Sequence, residues 1–295
     1  AAPWPLYPLS RRERPGLRII LMETILPYRL SDPQLVEVDP HLSNHDYHSL
    51  PSLSSTGAKL VLEAPAKYAY NREQPKASTA SMQLGTAIHS AVLEDGEDIE
   101  VVEASSWRTA AAKEARADAE AEGKVALLPQ EAATVNAVRD AVYAHPVAAE
   151  LLSHKRGRVE ESYLWTDQET GVDMRARPDL YVPGKAVVDL KTSGTAVDAH
   201  SFTNTIARFQ YHLQAAWYLN AVYAAHRDPA EFVWIAVETT PPHLVATYSL
   251  DYASLIAGFE LMDDALRAFQ AASVFDSWVG YPPELETLTL PNWAL

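Results

Sequence analysis

The chain has 295 residues, of which 47% are hydrophobic and 9% aromatic, a composition that can bury a sizeable core and excludes wholesale disorder. It has no cysteine, which excludes disulfides, a catalytic thiol and thiolate-bound zinc or iron-sulfur sites and is compatible with a cytoplasmic setting. A formal charge of −15 opposes passive nucleic-acid binding, whose affinity comes from Lys and Arg at phosphates, so any such role needs local or metal-borne positive charge.

Residues 1–40 read as an irregular N-terminal extension, rich in proline and arginine over 1–21, with Met22 a natural start. We assign it no function. No run of about 18 apolar residues suggests a membrane helix, and the N-terminus lacks the order of a secretory signal. Residues 41–295 read as a single domain.

Ser54 or Ser55 can cap a helix carrying Leu60, Val61 and Leu62, and a second helix starts at Pro65. A serine-rich helix start either caps in the ordinary way or offers N–H groups and hydroxyls to an anion. Thr79 to Glu94 forms an apolar helical stripe in which Gly85 permits close approach and His89 lies one turn on. His89 is either a satisfied side chain or a metal-binding nitrogen. Helices are expected over 107–124 and from Pro129 to Tyr143, before Pro146. The run His154, Lys155, Arg156, Gly157, Arg158 is basic in an acidic chain, and is either a phosphate-contacting loop or a solvated cluster.

A first core strand is expected from Val159 to Thr166, followed by a hairpin of Val172 to Tyr181 with Ala186 to Lys191. Pro183-Gly184 suits the centre of a type II turn between them, which folds Asp179 back towards Asp189. Alternation puts Asp189 and Lys191 on one face and Leu190 on the buried other. Two carboxylates and an amine on a buried hairpin are costly unless a cation or substrate satisfies them, and oxygen ligands suit Mg²⁺ or Mn²⁺. Asp179 as a turn cap, with Asp189 and Lys191 as an ordinary ion pair, is the competing reading.

After a loop over Thr192 to Ala199, Ser201 to Ala225 reads as one helix with Tyr211, Gln214 and Tyr218 at i, i+3 and i+7, a stripe that is either core edge or cleft wall. Strands Phe232 to Glu238 and His243 to Leu250 meet across Pro241-Pro242, and Asp251 to Ala272 is a last helix. Helices, three strands, helix, two strands and helix imply an α/β or α+β layer fold.

An acid after Pro178, a hairpin, then Val187-Val188-Asp189-Leu190-Lys191 follows the order of the PD-(D/E)xK nuclease core. The motifs LSSTGAKLVLEAPAKY, LGTAIHSAVLE, EESYLW, TGVDMRARPDLY, VVDLKT and YHLQAAWY extend the likeness from about His45 to the C-terminus. In these the chain resembles the RecE-type exodeoxyribonuclease VIII family of phage and prophage exonucleases, related to the lambda exonuclease and RecB nuclease domains. The resemblance implies a restriction-endonuclease-like core, a central mixed sheet flanked by helices. It implies His89, Glu161, Asp179, Asp189 and the Leu190 carbonyl as metal ligands, with Glu161 preferred to the adjacent Glu160, Lys191 as catalytic lysine, and Gln214 with Tyr218 as the Gln-x-x-x-Tyr element. Two Mg²⁺ or Mn²⁺ ions, 5′-to-3′ digestion of duplex DNA, a ring-shaped homo-oligomer and a single-strand annealing partner in a bacterial host cytoplasm are further implications. A site- or structure-specific endonuclease and a non-catalytic DNA-end-binding protein are the alternatives. Ser54, Ser55, Lys59, Lys155, Arg156, Arg158, Arg177 and Tyr211 are the expected contacts to DNA or its 5′-phosphate.

Overall fold

The computed structural model describes residues 36–74, 79–94, 96 and 98–290. Most of the expected N-terminal extension lies outside the described residues. Among them no helix is long and apolar enough to cross a membrane.

In chain order the elements are β1 (Glu37–Asp39), α1 (Asn44–Ser49), α2 (Ser55–Glu63), α3 (Pro65–Glu73), α4 (Ala80–Leu93), β2 (Ile99–Val101), α5 (Ala110–Ala121), β3 (Val125–Leu127), α6 (Pro129–Ala144), α7 (Pro146–Leu152), β4 (Arg158–Val159), β5 (Ser162–Thr166), β6 (Asp173–Ala176), β7 (Leu180–Val182), β8 (Ala186–Ser193), α8 (Ala199–Arg208), α9 (Tyr211–His226), β9 (Glu231–Glu238), β10 (Val245–Tyr248) and α10 (Tyr252–Val274). Local chemistry sets many ends. Ser54 Oγ accepts from Gly57 N at 3.2 Å to start α2, Thr79 Oγ1 accepts from Met82 N to start α4, and Asp251 caps α10 through Ser254 N. Pro65 and Pro146 occupy first helical turns, where a missing N–H costs nothing.

A five-stranded sheet runs β10-β9-β8-β7-β4, with β8 and β9 parallel and the other pairs antiparallel. The parallel pair is joined by the α8–α9 crossover, the connection that such a pair requires. Strands β1, β5 and β6 form a separate antiparallel sheet, and β2 with β3 a short parallel ribbon.

Alternation along β8 and β9 loads both faces of the large sheet. Val187, Phe232, Trp234 and Ala236 pack with Leu213 and Trp217 of α9 and with α10, whereas Val188, Leu190, Ile235 and Val237 pack with Ile88 of α4 and Val138 of α6. Helices α9 and α10 cross so closely that a Cβ on Gly258 would sit 2.2 Å from the His212 carbonyl oxygen, a position only glycine can fill. This crossing fixes α9 against the sheet and so sets where its polar stripe points.

The α/β reading holds, and the hairpin forms as expected: Leu180, Tyr181 and Val182 face Val188, Val187 and Ala186. Lys185 N donates to Val182 O across the turn and Gly184 takes φ 76°, the value the turn needs. Three elements differ from expectation. The first hairpin strand is two strands, β6 and β7, in different sheets, because Pro178 between them offers no N–H to a ladder. The expected first core strand likewise divides into β4 and β5 around Glu160, whose φ is 46°. The helix over 201–225 breaks into α8 and α9 at Gln210, which is left-handed at φ 50°.

Candidate active site

The centre of the site is a row across three strands. Arg158 opposes Tyr181 and Val159 opposes Leu180, so the next residue, Glu160, lies opposite Asp179, to whose carbonyl its N–H donates at 3.1 Å. Leu180 opposes Val188, which brings Asp179 beside Asp189, and Asp179 Oδ2 accepts from Leu190 N at 2.6 Å. Three acids therefore stand side by side, an arrangement that is destabilising in a sheet unless positive charge offsets it.

The electrostatics agree with that geometry. Burial, and then the neighbouring Asp179, push the Glu160 carboxyl upward. Burial likewise raises Asp179, against the influence of His89, whose Nδ1 is 3.5 Å from Asp179 Oδ2. Asp189 is 1% exposed. Its Oδ2 meets the Lys191 ammonium at 2.6 Å, and no other donor reaches that oxygen. Desolvation works against the Lys191 charge, but Asp189 and Asp179 outweigh it and the ammonium is held above its ordinary pKa.

Helix α9 closes the site from the sheet face shared by Asp189 and Lys191. Gln214 Nε2 donates to Asp189 Oδ1 at 3.0 Å and to the Tyr218 hydroxyl at 3.1 Å. Tyr211 lies beneath two ammonium groups, with Lys191 Nζ 4.7 Å and Lys59 Nζ 5.0 Å from its ring centroid. The stripe at i, i+3 and i+7 is thus a wall of the site. Burial and the nearby Lys191 charge lower the Lys59 ammonium to about 8.

Glu161 is placed differently from the sequence expectation. It faces away from the row: its carboxylate accepts from the Tyr163 hydroxyl at 2.5 Å and from Arg158 at 3.3 Å, with His226 Nε2 3.6 Å away. The left-handed residue Glu160 interrupts strand alternation, so Glu160, not Glu161, turns towards Asp179 and His89. Nothing in the sequence marks a glutamate for φ > 0, a conformation uncommon outside glycine, so the resemblance that preferred Glu161 carried no sign that Glu160 turns inward.

The basic loop also lies elsewhere. Arg156 reaches the Pro183 carbonyl at the turn end of the hairpin, Lys155 is exposed beside it, and Arg158 is engaged with Glu161 and the Tyr181 ring. Arg177 does border the site, but its guanidinium donates to Ser162 Oγ and Leu42 O and lies 4.2 Å over the Tyr47 ring, holding β6 to the segment before α1. A cleft of about 520 Å³ opens beside Glu160 and His89 and is lined also by Ser54, Ser55, Arg177 and Tyr218 among others. Ser54 is a cap, as its bond to Gly57 shows, and still borders that cleft.

Among the described residues no three His, Asp or Glu side chains are drawn together as a ready-made ion cage. The donor chemistry nonetheless fits a hard divalent cation: opposed carboxylates, a buried Asp189 whose Oδ2 meets only the Lys191 ammonium, and one imidazole at the edge.

Comparison with known proteins agrees with this architecture. The crystal structure of a "Putative exonuclease" from Eubacterium rectale aligns with a TM-score of 0.58 and 14% identity over 85% of this chain and 96% of its own, a likeness of fold. A second structure, SSO0001, aligns at 14% identity over 65% of this chain and 86% of its own, with a TM-score of 0.28, and carries no weight. No curated protein matches. The family model described as "PDDEXK-like domain of unknown function (DUF3799)" matches residues 54–284, a span that holds the acid row, Lys191 and the α9 stripe, and the chain belongs to that PDDEXK-like family.

Proposed function

We propose that this protein is a divalent-metal-dependent deoxyribonuclease that digests duplex DNA from its ends, 5′ to 3′, leaving 3′ single strands for recombination by annealing. The observation that carries the hydrolytic reading is the Glu160-Asp179-Asp189 row with Lys191 beside it and Gln214 braced on Asp189. Polarity and end preference come from the resemblance to RecE-type exonucleases, as do a ring of identical subunits and an annealing partner.

Glu160, Asp179 and Asp189, with His89 and the Leu190 carbonyl, are the groups that would hold Mg²⁺ or Mn²⁺. Held by these groups, such an ion would supply Lewis-acid chemistry at a phosphoryl oxygen and at bound water. The chain's own residues supply the remaining chemistry. Lys191 is kept charged by its two acids, which favours electrostatic support of the phosphate and orientation of water through Nζ over removal of a proton. Gln214 fixes the Asp189 carboxylate through Oδ1 and is itself tied to Tyr218. The half-buried Lys59 ammonium and the start of α2 provide positive potential for a terminal 5′-phosphate.

The test is a time course on linear duplex labelled separately at each 5′ and 3′ end, in Mg²⁺ and in EDTA, beside a covalently closed plasmid. Loss of the 5′ label first, in Mg²⁺ only, with the plasmid intact, is the expected result. Cutting of the closed plasmid assigns an endonuclease, and no metal-dependent cutting of either substrate refutes the proposal.

A further inference from the structure

Beside the acid row a chain of aromatic and cationic groups leads out to solvent. Phe209 is 49% exposed, although it adjoins the most buried helix of the fold. The left-handed Gln210 separates Phe209, at the end of α8, from the start of α9. Its inner face is covered: Phe209 and Tyr211 stack with centroids 5.8 Å apart and planes at 24°. Arg208 lies 5.3 Å over the Phe209 ring, and Lys59 and Lys191 lie over Tyr211. In a chain of 39 acidic and 24 basic residues, neither Arg208 nor Lys59 makes an ion pair among the described residues.

We infer that Phe209 is a stacking platform for an unpaired nucleotide of the DNA strand entering the site, with Arg208 and Lys59 receiving the phosphates on either side of it. The inference rests on the nuclease reading and adds to it the state of the substrate. Bases within a duplex are already paired and stacked, so a solvent-facing ring can take a base face only from a nucleotide that has left its partner. Ring and cation together match the two features that every nucleotide carries, a π face and a phosphate, and they do so without regard to sequence. Because Tyr211 is shared between the stack and the catalytic lysine, a base on Phe209 would set the position of the backbone relative to Lys191. Phe209 is thus a positioning residue.

The experiment compares wild type with Phe209→Leu, which keeps apolar bulk, and Phe209→Trp, which keeps a ring. Digestion in Mg²⁺ is followed on duplex with and without one abasic residue in the digested strand. Binding of a short thymidine oligonucleotide is measured by fluorescence anisotropy in Ca²⁺. We expect wild type and Phe209→Trp to pause about tenfold at the abasic residue and to bind the oligonucleotide about tenfold more tightly than Phe209→Leu, which should show no added pause. Equal binding and equal pausing by all three proteins overturn the platform. A Phe209→Leu variant that cuts normally but changes its sedimentation assigns the ring to a protein contact, and also overturns it. Absence of metal-dependent cutting by wild type, with ring-dependent oligonucleotide binding intact, refutes the nuclease reading and leaves the platform standing.

Discussion

Two neighbouring glutamates sit in opposite electrostatic settings. Glu161 is buried but fully provided for: burial raises its pKa, yet hydrogen bonding from His226 and Tyr163 and the Arg158 charge outweigh it, and the carboxyl is held low. Glu160, facing Asp179, is held high by burial and by the carboxylate beside it. The first is an acid whose partners belong to the chain, and its work is to fasten β5 to the end of α9. The second is an acid whose partner must come from outside, which is the expected signature of a functional carboxylate.

The largest way to sharpen this contrast is to empty the row. Asp189→Ala is expected to abolish metal-dependent hydrolysis, and Lys191→Ala to reduce kcat by about 10² to 10³-fold, the scale for losing one preorganised electrostatic group. Unchanged hydrolysis rates in Mg²⁺ for either variant break the assignment.

Next in size is the pair itself. Glu161→Gln should keep hydrolysis within a few-fold of wild type and lower stability by about 1 to 3 kcal/mol, because Arg158 and Tyr163 lose a charged acceptor. Urea unfolding at neutral pH measures this. The depressed pKa of Glu161 means its contribution is fully present above the unfolded carboxylate value of about 4.3 and is lost as pH falls through the lower folded value. The stability gap between wild type and Glu161→Gln should therefore narrow below about pH 4.3. A gap that widens there contradicts the pairing.

The smallest effect is expected at Lys59. Its lowered pKa, about 8, means the folded state disfavours the ammonium, so Lys59→Met should stabilise the chain by about 1 to 2 kcal/mol at pH 7. The gain should shrink as pH rises from about 8 towards the unfolded value, where both states lose the proton. The same variant should weaken binding of 5′-phosphorylated ends. Urea unfolding at pH 7 and pH 10 checks the stability effect, and a destabilised variant at pH 7 would show that Lys59 is satisfied by the fold.

Much of this was legible in the residues, and the exceptions share a cause. The Pro183-Gly184 turn follows from the φ preferences of its two residues, and the placement of Leu190 opposite Asp189 and Lys191 and the Tyr211, Gln214, Tyr218 stripe follow from strict periods of two and 3.6. The misplaced features lie where a period is interrupted by one residue: Glu160 and Gln210, both left-handed, and Pro178, where the chain passes between sheets. A non-glycine residue takes that conformation only when surrounding packing imposes it, and packing is not visible in one sequence. The pairing of Arg158 in the basic loop was hidden for a related reason, since charge density on the chain does not say which acid, here Glu161, will claim an arginine.

The most direct test is a comparison of wild type, Glu160→Gln and Glu161→Gln in hydrolysis of end-labelled linear duplex at saturating Mg²⁺ and Mn²⁺. The account predicts near-wild-type rates for Glu161→Gln and a loss of about 10²-fold or more for Glu160→Gln. Full activity in Glu160→Gln with loss in Glu161→Gln would contradict it.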